Sequence, residues 1–278
     1  KTSALSTFQI LPSAMLVKEY RIPLPVTVDE YRIAQLYMVA KASKQETGHG
    51  EGVEIVTNEP YEDEKSKGQF THKIIHVGRR LPSWLKAVLP SSALQVIEKS
   101  WNAYPYVRAE YTCPFLGESF KIDVETTYVP DRGTSENALN VTGEIIKQRQ
   151  IEFIDIARDE LVVGEVLAPE DDPKKFKSTK TGRGPLGPDW VKTVEPIMTI
   201  YKMCKITVNM WVLQGRIEAW IAKAALRDVL LKGHRQAFTW LDEWYGLALE
   251  DVRKFEDEIK QDLVERRNRT DLPAPAAE

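Results

Sequence analysis

The chain has 278 residues, 42% of them hydrophobic and 28% charged, enough to bury one large core or two modest ones. A net charge of -3 gives no global reason to bind nucleic acid, and no run approaches the roughly 18 apolar residues of a membrane span. Two cysteines, Cys113 and Cys204, are too few for a disulfide framework and fit a reducing cytosol.

Residues Lys1 to Ala14 lack a signal-peptide layout and are set apart as an N-terminal extension, disordered or non-native, so the folded unit is expected to begin near Met15. Thr27 and Glu30 form a capping box, and Ile33, Leu36, Tyr37 and Ala40 follow at helical spacing, which predicts a helix from about Val28 to Ser43. Gln35 sits beside its apolar face. Gly48, Gly50 and Gly52 punctuate a turn; no Lys-Ser/Thr follows them and strands flank them, so a hairpin turn is favoured over a phosphate loop. Val53 to Thr57 and Phe70 to Val77 read as strands rich in β-branched residues.

Trp101 to Cys113 and Ser119 to Val129 come next. In the second, Phe120, Ile122, Val124, Thr126 and Tyr128 oppose Lys121, Asp123, Glu125 and Thr127, a half-buried antiparallel pattern that puts a hydroxyl, that of Thr126, on the apolar side. Gln150 to Ala157 reads as another strand, and Ala168 to Pro196 as a long ordered loop. Its basic cluster, Lys174, Lys175, Lys177, Lys180 and Arg183, lacks interleaved aromatics and reads as a solvated loop rather than a nucleic-acid site.

From Met198 to Met210 every second residue is apolar except Lys202. Alternate side chains of a strand share a face, so an ammonium stands within an apolar stripe. Two readings stay open: a lysine near a sheet edge that lifts its charge to water, or a buried pocket for a phosphate or carboxylate. Helix is predicted from about Gln214 to Leu247, with Gly233 as a break, and again from about Glu250 to Arg267. In the last helix Glu256 lies beside Val252 and Ile259, spaced as an i, i+4 pair with Lys260.

Antiparallel strands with long amphipathic helices and no βαβ alternation predict an α+β domain, a curved antiparallel sheet packed on helices around a cavity. There is no G-x-S-x-G, H-E-x-x-H or CxxC. His72 and His76 share a strand face but stand roughly 13 Å apart, too far to share a metal.

The loop Phe176-Lys-Ser-Thr-Lys-Thr-Gly-Arg-Gly-Pro-Leu-Gly-Pro-Asp-Trp190 closely resembles the regulatory loop of the phosphatidylinositol transfer proteins. Gly50-Glu-Gly-Val-Glu54, Asn58-Glu-Pro-Tyr61, Thr71-His-Lys73, Trp101-Asn-Ala-Tyr-Pro-Tyr106, His234-Arg-Gln236 and Trp240-Leu-Asp242 extend the resemblance over roughly Met15 to Arg267, in the short single-domain form. The resemblance implies a START-like helix-grip fold that encloses one phospholipid, with a regulatory loop over about 168–196, a C-terminal lid helix over about 250–267 and a flexible tail from 268 to 278.

By the same resemblance Thr71, Lys73, Asn102 and Glu256 would hold the inositol ring, and Gln35, Thr126 and Lys202 the phosphodiester. Met210, Trp211, Val212 and Leu213 would dock on the membrane, where aromatics favour the interface. Ser178 matches a phosphorylation site. Three positions depart from the family pattern: Ala109 replaces a phosphate-binding threonine, Val107 a cysteine linked to exchange, and Met210 one of a tryptophan pair. The implied protein is a cytoplasmic, monomeric carrier, transiently peripheral on Golgi, endoplasmic reticulum or plasma membrane. It would use no cofactor and bind no nucleic acid, and would transfer phosphatidylinositol and phosphatidylcholine rather than catalyse a reaction. The alternatives are a scaffold that presents phosphatidylinositol to phosphoinositide kinases and a lipid-modifying enzyme on the same fold.

Overall fold

A computed structural model describes residues 15–47, 52–64, 66–78, 81–90, 93–162, 168–210 and 213–268. Residues 1–14, the turn glycines Gly48 and Gly50, the docking residues Trp211 and Val212, and the tail beyond 268 lie outside the described residues.

Eight strands form one sheet in the order β2-β3-β4-β5-β6-β8-β1-β7. They are β1 (Leu16–Leu24), β2 (Gly52–Glu62), β3 (Lys67–His76), β4 (Gln95–Ala103), β5 (Tyr106–Thr112), β6 (Phe120–Val129), β7 (Gln150–Phe153) and β8 (Met198–Val208). The expected strand from Trp101 to Cys113 is instead the end of β4 and all of β5, joined by a tight turn at Tyr104-Pro105. Proline has no N–H to give a ladder, so pairing stops there and the chain reverses. The strand expected over Gln150 to Ala157 ends at Phe153, beyond which Ile154, Ile156 and Ala157 enter the core without ladder partners.

The sheet is mixed rather than wholly antiparallel, because β7 runs parallel to β1. A parallel neighbour needs a long crossover, and residues 130–149 supply it by passing over the outer face of β1 and β8. That crossing buries both faces of β1. On the inner face Tyr20, Ile22 and Leu24 join the core; on the outer face Glu19 meets Arg21 Nε at 2.7 Å and Arg149 Nη1 at 2.6 Å, and the Arg21 guanidinium lies over the rings of Phe153 and Tyr201.

Helix α1 (Val28–Gln45) carries the predicted capping box: Thr27 Oγ1 accepts from Glu30 N and the Glu30 carboxylate accepts from Thr27 N. The short helices α2 (Ser83–Lys86), α3 (Glu144–Gln148) and α4 (Trp190–Thr193) lie in connections. The helix predicted from Gln214 is divided into α5 (Gln214–Trp220), a π-helical stretch Ile221–Asp228, α6 (Val229–Thr239) and α7 (Leu241–Trp244). Gly233 is not the break. It lies within α6, where a Cβ would make ordinary van der Waals contact with Met38 Sδ of α1 at 3.4 Å. The last helix, α8 (Leu249–Asn268), packs on α1 and β2, where Ile259 and Leu263 cluster with Ala40 and Ile55, and Phe255 stacks on Tyr37 with ring centroids 4.9 Å apart.

Candidate functional site

Strand register brings most of the predicted head-group residues onto three successive cross-strand rows, about 7 Å apart along the strands. One row runs Asn102, Val107, Thr126, Lys202 and Tyr20; the next Thr71, Ser100, Ala109, Val124 and Cys204; the third Lys73, Glu98, Tyr111, Ile122 and Ile206. These side chains share one face because they alternate by two along every strand. Val107 and Ala109 of β5 stand in two of these rows, so both positions of departure from the expected pattern carry apolar side chains on this face.

Strand β8 lies between β6 and β1, which overturns the reading of Lys202 as an edge lysine that reaches water. It faces an apolar cavity of about 540 Å³, walled by Ile122, Val124 and Cys204 of the sheet, by Leu85 of α2, and by Ile221 and Ala225 of the π-helical stretch. Burial pulls the Lys202 pKa below the usual lysine range, an effect opposed by Cys204 and by the negative charge of Glu98. Its Nζ donates to Thr126 Oγ1 at 2.9 Å, and among the described residues it makes no ion pair. A buried ammonium with one hydroxyl partner is a costly arrangement that a neighbouring anion would relieve.

Gln35 approaches from α1. Tyr128 OH donates to its Oε1 at 2.8 Å, while its Nε2 is buried without a partner. Tyr128 also stacks on Tyr104 and tilts against Tyr31, and Tyr31 stacks on His234. The His234 ring is held neutral: burial, aided by the Lys202 charge, lowers its pKa to about 4 against the pull of the Leu230 carbonyl.

The Asn102 Oδ1 is likewise buried without a partner. Among the described residues the head-group set therefore offers an orphaned donor at Gln35 and an orphaned acceptor at Asn102. A buried polar group without a partner costs roughly 1–3 kcal/mol, so such groups persist where a ligand completes them.

Lys73 Nζ lies 3.6 Å from Glu98, its cross-strand partner. Glu256 does not pair with Lys260; it meets Arg253 Nη1 at 2.5 Å. Burial raises the Glu256 pKa, opposed by the charges of Arg253 and Lys73, so Lys73 brings Glu256 of α8 and Glu98 of β4 into one electrostatic cluster. The sequence reading missed Glu98. Its signal was the run Glu98, Ser100, Asn102, polar on the inward side of a strand that had been started at Trp101.

Of the described docking residues, Met210 is half-buried and lines the cavity, and Leu213 is half-buried against the core. The loop over 168–196 is anchored at several points. Arg183 grips Glu30 of α1 with two bonds of 2.8 and 2.9 Å, Trp190 Nε1 donates to Asp155 Oδ1 at 2.9 Å, and Ser178, 2% exposed, donates to Asp242 Oδ1. Burial pushes the Asp242 carboxyl up, but hydrogen bonds from Ser178, Thr179 and Lys180 outweigh it and hold the pKa at about 2.

Among the described residues no group of His, Cys, Asp and Glu is arranged to hold a metal, and no helix is long and apolar enough to cross a membrane.

The family model described as phosphatidylinositol transfer protein matches residues 15–261. The chain is 52% identical over 253 residues to phosphatidylinositol transfer protein 2 of Dictyostelium discoideum, covering 91% of this chain and 96% of that relative. It is 48% identical over 249 residues to phosphatidylinositol transfer protein 5 of the same organism, covering 90% and 86%. Protein retinal degeneration B of Drosophila melanogaster is 48% identical over 268 residues, covering 91% of this chain but 21% of that longer protein.

Proposed function

Because this chain belongs to the phosphatidylinositol transfer protein family, we propose that it encloses one phospholipid and carries it between membranes, with phosphatidylinositol as a principal cargo and phosphatidylcholine as a second. Exposing two acyl chains to water at about 0.8 kcal/mol per methylene costs on the order of 20 kcal/mol, so a carrier needs an apolar enclosure with a polar end. The observation that carries the reading is Lys202, an ammonium buried in an apolar cavity and bonded to Thr126 alone among the described residues.

In this reading the phosphodiester meets Lys202, Thr126 and the free Nε2 of Gln35. The inositol hydroxyls then meet Thr71, Lys73, Asn102 and Glu256. A choline head group makes none of those hydroxyl contacts and relies on the phosphate residues. Cargo enters and leaves when α8 and the 168–196 loop move aside at a bilayer, with the segment from Met210 to Leu213 at the surface. Phosphorylation of Ser178 requires that loop to open first, since its hydroxyl is engaged by Asp242. The carrier acts as a monomer in the cytosol and on membrane surfaces.

The test is transfer of labelled phosphatidylinositol between vesicles, together with mass spectrometry of lipid extracted from the purified protein. Transfer without any kinase present, and one phospholipid per chain, are expected. The absence of both transfer and bound phospholipid would overturn the reading.

A further inference from the structure

The Gln35 side chain makes one hydrogen bond among the described residues, and that bond decides which end of its amide is left free. A primary amide carries an acceptor at one end and donors at the other, and a half turn about its last bond exchanges them. A phosphodiester offers acceptors alone, so only the orientation with Nε2 free can serve it. Resting on the phospholipid reading, we infer that Tyr128 is a positioning residue: its hydroxyl, by holding Gln35 Oε1, locks the Gln35 amide with the donor end toward the phosphodiester.

Tyr128 suits that task because its own position is fixed from several sides. It stands two residues beyond Thr126 on the same face of β6, and Ile200 is its cross-strand partner on β8. Its ring stacks on Tyr104 with centroids 4.8 Å apart and tilts against Tyr31 at 5.3 Å. The Tyr104 hydroxyl in turn donates to the Val28 carbonyl at the start of α1, the helix that carries Gln35. Tyr128 is 8% exposed, and burial raises its pKa well above the ordinary 10, so the hydroxyl keeps the proton it donates. Were the amide reversed, that proton would have no acceptor among the described residues and a carbonyl oxygen would face the anion. Both are costly in a buried place.

Tyr128→Phe keeps the ring and removes the lock. Gln35 is then free to turn, so lipid binding must order a long side chain and leave Oε1 without a partner, a loss of about fivefold. The loss falls on every phospholipid alike, because the phosphodiester is common to them.

Wild type, Tyr128→Phe, Gln35→Leu and the double variant are compared in transfer of labelled phosphatidylinositol and of labelled phosphatidylcholine between phosphatidylcholine vesicles. Tyr128→Phe is expected to slow both lipids about fivefold, and to add nothing in the Gln35→Leu background, where no amide remains to be turned. Wild-type rates in Tyr128→Phe, loss of one lipid alone, or losses that multiply in the double variant overturn the inference. Should Tyr128→Phe fail to fold, the wild-type protein still decides. Its Gln35 side-chain amide resonances, identified by their absence from Gln35→Leu, should move on loading with phosphatidylcholine, and resonances that stay in place overturn the inference. A wild-type protein that takes up no phospholipid at all would instead overturn the carrier reading beneath it.

Discussion

Lys202 of β8 and Thr126 of β6 are direct cross-strand partners, and the Lys202 ammonium donates to the Thr126 hydroxyl at 2.9 Å. The pair joins a costly buried charge to a hydroxyl with a second lone pair to spare. Replacing the charge by an apolar side chain of similar length removes a desolvation cost, so Lys202→Met should leave the lipid-free protein as stable as wild type or more so. Transfer of phosphatidylinositol and phosphatidylcholine should both fall tenfold or more, roughly the loss of one charge-assisted hydrogen bond. Thermal melting beside two vesicle assays checks this; a selective loss of one lipid would show that Lys202 reads the head group.

Asn102 should behave in the opposite way toward cargo. Its orphaned Oδ1 is a liability that Asn102→Leu removes, so the variant should melt no lower than wild type. Phosphatidylinositol transfer should drop about tenfold while phosphatidylcholine transfer persists. Equal losses for both lipids would place Asn102 at the phosphate.

His234 predicts a pH dependence. Its pKa falls from 6.5 to about 4 in the folded protein, so the unfolded chain binds the extra proton first. The stabilisation is fully present above pH 6.5 and is lost as pH falls toward 4, by up to about 3 kcal/mol. Melting curves between pH 7 and 4 should show a shallower decline for His234→Gln than for wild type, and parallel declines would remove His234 as the cause.

Asp242 sets a second pH threshold. With its pKa held at about 2, its bonds to Ser178, Thr179 and Lys180 are fully present above the ordinary aspartate value near 4 and are lost as pH falls through about 2. At neutral pH, Asp242→Ala should speed amide exchange at Thr179 and Lys180, which donate their backbone N–H groups to that carboxylate. Unchanged protection there would mean that Arg183 and Trp190 hold the loop without it.

Glu19 is the structural control. Glu19→Ala leaves Arg21 and Arg149 short of a buried partner, which costs about 3 kcal/mol or more and lowers the melting temperature by roughly 10 °C. Lipid preference should not change, because this cluster lies on the outer face of the sheet. Mass spectrometry of bound lipid tests that half of the claim.

Local rules were strong enough to read some of this from the residues. The Thr27–Glu30 box fixed the start of α1, and clean alternation placed Thr126 on the inner side of β6. Lys202 was legible as an anomaly but not as a pocket, because a strand does not carry its rank within the sheet. Strand β1 was not legible at all: both faces are covered, so Glu19 and Arg21 interrupt the apolar run without marking a solvent side. Glu98 was lost because β4 begins at Gln95, ahead of the Trp101 from which the strand was expected, and the π-helical stretch because its spacing differs little from that of an α-helix over so few residues.

The place of β1 between β8 and β7 has a consequence for how the molecule comes together. Strands β2 to β6 pair with sequence neighbours and can assemble as they leave the ribosome. Strand β1 must wait for residues 150–153 and 198–208, holding Tyr20, Ile22 and Leu24 unpaired through most of synthesis. Docking of β1 is therefore a late and slow event, set by the longest-range contacts in the chain.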